Sequence, residues 1–163
     1  LAGFNFLILI KLAHAYNINI FSNVIVRGMY MSDEIGKCLC GRIEVTCSEL
    51  PKNVIACYCS DCQKASGGGP SFNIIVPDGD IQVTKGETSI FNVTADSGNS
   101  VERHFCSNCG SAVYSKLSTR TVWKAGLFNH IQDLELVANV WGSSDNKLSI
   151  INTEVKTFDK GAS

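Results

Sequence analysis

Seven of the eight cysteines in this chain fall into three short clusters. Cys38-Leu39-Cys40-Gly41 is the first, Cys57-Tyr58-Cys59-Ser60-Asp61-Cys62 the second and Cys106-Ser107-Asn108-Cys109-Gly110 the third. The C-x-x-C pairs of the second and third suit a knuckle in which the chain reverses and both sulfurs point at one centre, about 2.3 Å from a zinc ion. Gly110 stands directly after Cys109, where such a reversal often needs positive φ. In the C-x-C pair, Cys38 and Cys40 would share one face of a strand and so present two sulfurs together. A closed four-thiolate zinc site needs two such pairs, which 38/40 and 106/109 supply. The second cluster offers three thiols. Three protein ligands with an open fourth position is the pattern of catalytic zinc, and the open position can take water or the thiolate of a substrate. Spacing alone leaves other readings open: four disulfides using every cysteine, a rubredoxin-like iron site, or two structural zinc sites with another side chain as the fourth ligand of the second.

The framework that must hold these clusters reads as β structure. "RIEVTC" alternates with the period of a half-buried strand, and "SFNIIVP" is a short apolar run ending at a proline. "IQVTKGETSIFNVTADSG" reads as two short strands around a Lys85-Gly86 turn. "VERHFC", "SAVYSKL", "TVWKAGLF" and "ELVANVW" follow as further strands, and "LSIINTEVKTF" adds edge structure. The only helical piece expected is a short turn or helix after Cys59. Many short strands separated by turn residues predict an all-β domain.

Residues outside the clusters have plainer explanations. Cys47 sits on the Ile43/Val45 face of its strand and reads as a small buried thiol. His104 shares a strand face with Glu102 and Cys106 and reads as a partly exposed strand histidine, with a ligand or proton-shuttle role as the sharper reading. His130 reads as part of a surface turn. Gly67 to Gly69 is not a phosphate loop, because no Lys-Ser/Thr follows. It is a flexible loop or a place of close backbone approach to a ligand. Asp61 and Lys64 are candidates for polar substrate contacts, or simply solvated loop charges.

With 163 residues, 45% of them hydrophobic, the chain has room for one domain with a real core. A net charge of −1 without a basic run argues against nucleic acid as the main partner. Residues 1–31 differ from the rest: they contain no Asp or Glu, and Lys11 and Arg27 are their only Lys or Arg residues. A signal peptide is one reading, with Ala13-His14-Ala15 as an A-x-A cleavage site, but no positive charge precedes the apolar run. A membrane span fits poorly, since the apolar run Phe6 to Ile10 falls far short of the roughly 20 residues needed. Translated upstream sequence, with the start at Met29 or Met31, is the favoured reading, leaving residues 32–163 as a single zinc-binding domain. Thiolate zinc sites suit a reducing compartment, so a cytoplasmic location is expected.

Taken together, "GKCLCGRIEV", "CYCSDCQKASGGGPSFNIIVP" and "VERHFCSNCGSAVYSKL" resemble the glutathione-dependent formaldehyde-activating family, which includes the centromere protein V-like proteins and has the Mss4-like all-β fold. "KAGLFN" and Trp141 also stand where that family carries similar residues, and the resemblance runs from about Gly36 to Gly161. It implies a structural zinc at Cys38, Cys40, Cys106 and Cys109 and a second, active-site zinc at Cys57, Cys59 and Cys62. It further implies a carbon–sulfur lyase, written in reverse as the joining of glutathione and formaldehyde to S-hydroxymethylglutathione. On this basis Cys57, Cys59 and Cys62 are the expected catalytic residues, two zinc ions per chain the expected cofactors, and a small thiol such as glutathione the expected partner. One departure is visible. The family usually has His between the first two cysteines of the second cluster, and Tyr58 stands there in this chain. A phenol titrates near pKa ~10 and cannot replace a histidine as a proton shuttle at neutral pH. The alternative from a different class is a non-catalytic protein-interaction module of the same fold, since fold does not dictate function.

Overall fold

A computed structural model describes residues 33–49 and 51–161. The expectations for residues 1–31, His14 included, lie outside the described residues. Eleven strands, β1 to β11 in chain order, form two sheets with one short α-helix between β3 and β4. The smaller sheet has the order β1-β2-β5, with β1 at Glu34–Lys37, β2 at Glu44–Cys47 and β5 at Ile81–Lys85, all antiparallel. The larger has the order β11-β10-β3-β4-β9-β8-β7-β6. Its members are β3 (Asn53–Cys57), β4 (Ser71–Ile75), β6 (Ser89–Thr94), β7 (Ser100–Phe105), β8 (Ala112–Leu117), β9 (Thr121–Lys124), β10 (Glu135–Val140) and β11 (Lys156–Thr157).

The all-β class expected from the strand pattern is what forms, with cysteine clusters at strand ends as in the Mss4-like expectation. The larger sheet is mixed, however: β10 runs parallel to both β3 and β11, while its other pairs are antiparallel. The Lys85-Gly86 turn does not make a hairpin. β5 pairs with β2 in one sheet and β6 with β7 in the other, so this turn carries the chain between sheets. Two strands escaped the sequence reading, β1 and β3. Both are short, and β3 buries only Val54 and Ala56, leaving little amphipathic signal.

The core lies where the two sheets share apolar side chains. Val45 and Ile81 from the smaller sheet join Ile74, Val113 and Trp123 from the larger in one buried cluster. Val45, Ile74 and Val113 are fully buried, each stabilising the fold by roughly 1.5–3 kcal/mol relative to exposure. Gly36 marks the closest approach. A Cβ there would come within 2.8 Å of Val45 Cγ2 and 3.0 Å of the Phe128 ring, so β1 can lie against this core only without a side chain at 36. Cys38 and Cys106 belong to the same buried cluster, which ties the first and third cysteine clusters to the core.

Candidate active site

The first cysteine cluster lies in a tight turn rather than on a strand. β1 ends at Lys37, and the Gly41 N–H closes onto Cys38 O at 2.9 Å with Gly41 at φ 70°. The strand expectation failed because the chain must reverse at once to enter β2. The reversal serves the sulfurs just as well. Cys38 Sγ and Cys40 Sγ lie 3.6 Å apart, and the Ile43 N–H donates to Cys38 Sγ at 3.3 Å. After β7 the chain makes a matching knuckle, in which the Gly110 N–H donates to Cys106 O at 2.8 Å with Gly110 at φ 74°, as its position predicts. Cys40 Sγ meets Cys106 Sγ at 3.7 Å, and the four sulfurs of Cys38, Cys40, Cys106 and Cys109 all lie within 4.8 Å of one another.

Tetrahedral zinc with bonds near 2.3 Å places its sulfurs about 3.8 Å apart. The observed 3.6 and 3.7 Å fit that spacing, and a disulfide near 2.05 Å does not. All eight cysteines are free thiols. The Ser111 hydroxyl and its backbone N–H hold the Cys109 thiol down to about 5, while Cys106 stays up at about 11, because burial and sharing with its neighbours outweigh the Cys109 N–H beside it. Cys38 is lowered: burial raises it, but the Ile43 N–H and the neighbouring thiols outweigh that.

The second cluster is built at the junction of β3 and the helix α1, Ser60–Ser66. Cys57 ends β3, Cys59 caps the helix start and Cys62 lies buried in its first turn, with the three sulfurs within 4.8 Å of one another. Gly67, at φ 82°, stops the helix, and the Gly68 N–H reaches back to Gln63 O at 2.7 Å. The glycine run is thus first of all a helix C-terminus, which needs the left-handed backbone that glycine supplies. Tyr58 stands between Cys57 and Cys59, one residue beyond the end of β3. It is buried at 2% exposure and lines neither cavity that meets these thiols, and burial raises its phenol further.

Two cavities converge on Cys62. One, of about 410 Å³, is bounded by Ser66, Pro70, Phe72, Phe105 and Tyr114; the other, of about 190 Å³, reaches Cys57, Cys59, Asp61 and Trp141. Cys62, Arg103, Ser115 and Lys124 line both. Arg103 Nη2 lies 3.9 Å from Cys62 Sγ and 4.0 Å from Asp61 Oδ2. Hydrogen bonds from Cys57 and Cys59 draw the Cys62 thiol down to about 2, and Lys124 and Arg103 add to this. Sharing the same hydrogen bonds pushes Cys57 up. Cys59 also rises, because the help it receives from Cys57 is outweighed by Cys62 and by burial. Three converging sulfurs form a donor set suited to a soft or borderline cation, one ligand short of four.

Arg103 and Lys124 were not singled out in the sequence. A Lys closing the otherwise apolar strand "TVW" was the available signal. Lys64, by contrast, is exposed and lines neither cavity, while Asp61 does line one. His104 corrects its expectation. It is buried at 7% exposure, stacked on Tyr114 with ring centroids 3.9 Å apart, and held by Thr88 at 2.8 Å and Glu102 at 3.2 Å. The β7–β8 register places Tyr114 across from it and covers it. Cys47 is buried as expected, and burial raises its thiol to about 11. His130 is exposed in its turn, 3.7 Å from Asp133. No helix among the described residues is long and apolar enough to cross a membrane.

Comparison with known proteins follows the same residues. The family model described as glutathione-dependent formaldehyde-activating enzyme matches residues 33–144. A Halomonas elongata protein provisionally named a glutathione-dependent formaldehyde-activating enzyme is 40% identical over 83 residues, covering 48% of this chain and 53% of its own length. A Fusarium vanettenii protein with the same provisional name is 29% identical over 96 residues, covering 59% of this chain and 50% of its own. The chain therefore spans about half the length of the curated relatives it matches. A Rhodobacter sphaeroides crystal structure aligns with a TM-score of 0.47 at 18% identity, covering 58% of this chain and 87% of the other. With the family match spanning both cysteine clusters, the chain belongs to the glutathione-dependent formaldehyde-activating enzyme family.

Proposed function

We propose that residues 32–163 form one enzymatic domain that joins a thiol, glutathione or a close relative, to a small aldehyde such as formaldehyde. The product is a hemithioacetal, and the reaction is that of a carbon–sulfur lyase run in reverse. Two zinc ions per chain are proposed: a structural one held by Cys38, Cys40, Cys106 and Cys109, and one at the active site held by Cys57, Cys59 and Cys62. The free thiols of both sites suit a reducing cytoplasm.

The observation that carries this reading is the inequality between the clusters. Four sulfurs complete a tetrahedron by themselves, whereas three sulfurs face two cavities with no fourth donor among the described Cys, His, Asp and Glu side chains. Zinc held by Cys57, Cys59 and Cys62 would acidify an incoming thiol and orient it. The chain's own residues do the rest. Arg103 sets positive charge beside Cys62 and favours a thiolate-rich cluster. Asp61 steadies that guanidinium from the helix. Phe72, Phe105 and Tyr114 give the larger cavity apolar walls, which strengthen charge interactions inside it by thinning the water. Tyr58 lines neither of the two cavities at Cys62, so its presence where the family usually has histidine leaves their lining in place. A non-catalytic interaction module would leave both cavities at the thiols without a use.

Metal analysis and rate measurement together test the reading. Purified protein should carry two zinc ions per chain, bind glutathione, and accelerate hemithioacetal formation from glutathione and formaldehyde. Protein with two zinc ions that neither binds glutathione nor speeds the reaction would overturn it.

A further inference from the structure

Joining a thiolate to a carbonyl moves negative charge. The sulfur lone pair forms the C–S bond, the C=O π pair goes to oxygen, and the charge that began on sulfur ends on an alkoxide. A proton from solvent, matching the one the thiol released, completes the hydroxyl. A site for this step needs a fixed positive group next to the reacting sulfur but not consumed by it. Two cations line both cavities at Cys62, and they are differently engaged. Arg103 is already turned to Cys62 Sγ at 3.9 Å and Asp61 at 4.0 Å.

Lys124 hydrogen-bonds to neutral oxygens; burial disfavours its charged form, while the Cys62, Cys57 and Cys59 thiols are near enough to favour it. Its Nζ donates to Asn73 Oδ1 at 2.7 Å and Ser71 Oγ at 3.1 Å, both on β4, the strand next to β9. Asn73 is itself buried at 7% exposure and anchored to Ser71 O at 2.7 Å. Among the described residues no carboxylate lies within 4.0 Å of that ammonium. An ammonium has three donors, and two are used. Resting on the thiol–aldehyde reading above, the geometry points to Lys124 as a catalytic residue whose third N–H receives the alkoxide oxygen formed on the aldehyde carbon. Ser71 and Asn73 are its positioning residues, holding the ammonium in place before the charge develops.

The test uses the full chain with zinc loaded, glutathione and formaldehyde as substrates, and kcat per bound zinc as readout. Lys124→Met should lower kcat by about 10²-fold while the KM for glutathione stays within about threefold, as for loss of one preorganised oxyanion donor. Lys124→Arg should restore at least a tenth of the rate, because it returns the charge. Ser71→Ala, which removes one of the two acceptors, should lower kcat about tenfold and serves where Lys124→Met fails to fold. An active wild type beside a Lys124→Met variant that keeps its rate per zinc would overturn this assignment alone, as would a variant whose loss lies only in zinc content or in KM. A Ser71→Ala variant with unchanged kcat counts against it equally. A wild type without activity would overturn the underlying thiol–aldehyde reading and this assignment with it.

Discussion

The two cysteine clusters use the same donor atom in opposite surroundings. In the four-sulfur cluster, Cys38 and Cys106 are part of the apolar core and two tight turns from distant parts of the chain face each other. In the three-sulfur cluster every donor comes from one six-residue stretch, and the sulfurs look onto cavities lined by Arg103 and Lys124. A metal in the first has a full set of ligands and neighbours that belong to the core. A metal in the second would have three sulfur ligands and the charged Arg103 and Lys124 side chains nearby. If both clusters hold metal as proposed, stability and reactivity are separated in this domain by which cluster has a fourth sulfur.

The strongest way to break that contrast is Cys106→Ser. If the four-sulfur cluster holds the core, this change should remove a zinc and unfold the domain. The metal's contribution to folding is on the order of 10 kcal/mol in small zinc domains, comparable to a domain's whole net stability. Circular dichroism and a thermal melt would report it, and a cooperative melt near the wild-type Tm would sink the structural role. Cys59→Ser should separate the clusters instead. The fold should persist, zinc should drop from two to one per chain by metal analysis, and the hemithioacetal rate should fall at least about 10²-fold. Equal loss of fold in both variants would erase the distinction.

The smallest effect comes from Glu44 on β2, beside the four-sulfur turn. Hydrogen bonds from Lys85 at 2.9 Å and Lys37 at 3.2 Å lower its carboxyl pKa. Its folded pKa lies below the unfolded value near ~4.3, so the stabilisation is present above that value and is lost as pH falls through the folded one. Glu44→Gln should therefore lower Tm by only a degree or two at neutral pH and low salt, with the difference from wild type shrinking as pH falls through the folded pKa and in molar salt. A Tm difference that survives molar salt would show that Glu44 acts through packing.

Much of this was legible in the chain. The clusters were visible because metal ligation by cysteine needs close spacing, and β2, β4 and β7 to β10 were visible because half-buried strands alternate. β3 was not, since a five-residue strand with two buried positions leaves little pattern, and its partner β10 is distant in sequence and parallel. The cations were the larger omission. Asp61 and Lys64 drew attention because they neighbour the thiols in sequence, yet Lys64 is exposed while Arg103 and Lys124 arrive from β7 and β9. Local spacing reports ligands within one turn. It carries no record of what a sheet brings across from other strands. Tyr58 was legible as a departure, but its burial outside the linings of the cavities at Cys62 was not.

The contact between Cys40 and Cys106 spans 66 residues of chain. Once a metal joins these sulfurs, that whole segment becomes a closed loop, and closing it removes roughly 4 kcal/mol of chain entropy from the unfolded ensemble. The loop includes Cys57, Cys59 and Cys62, whose own ligand stretch is too short to constrain anything beyond itself. Metal held by that stretch can persist on an unfolded chain and then contributes little to the folding equilibrium. If both clusters take metal, assembly has a direction built into its topology: the local thiols can capture metal early, while the non-local clip marks the moment at which β1 and β7 have found each other.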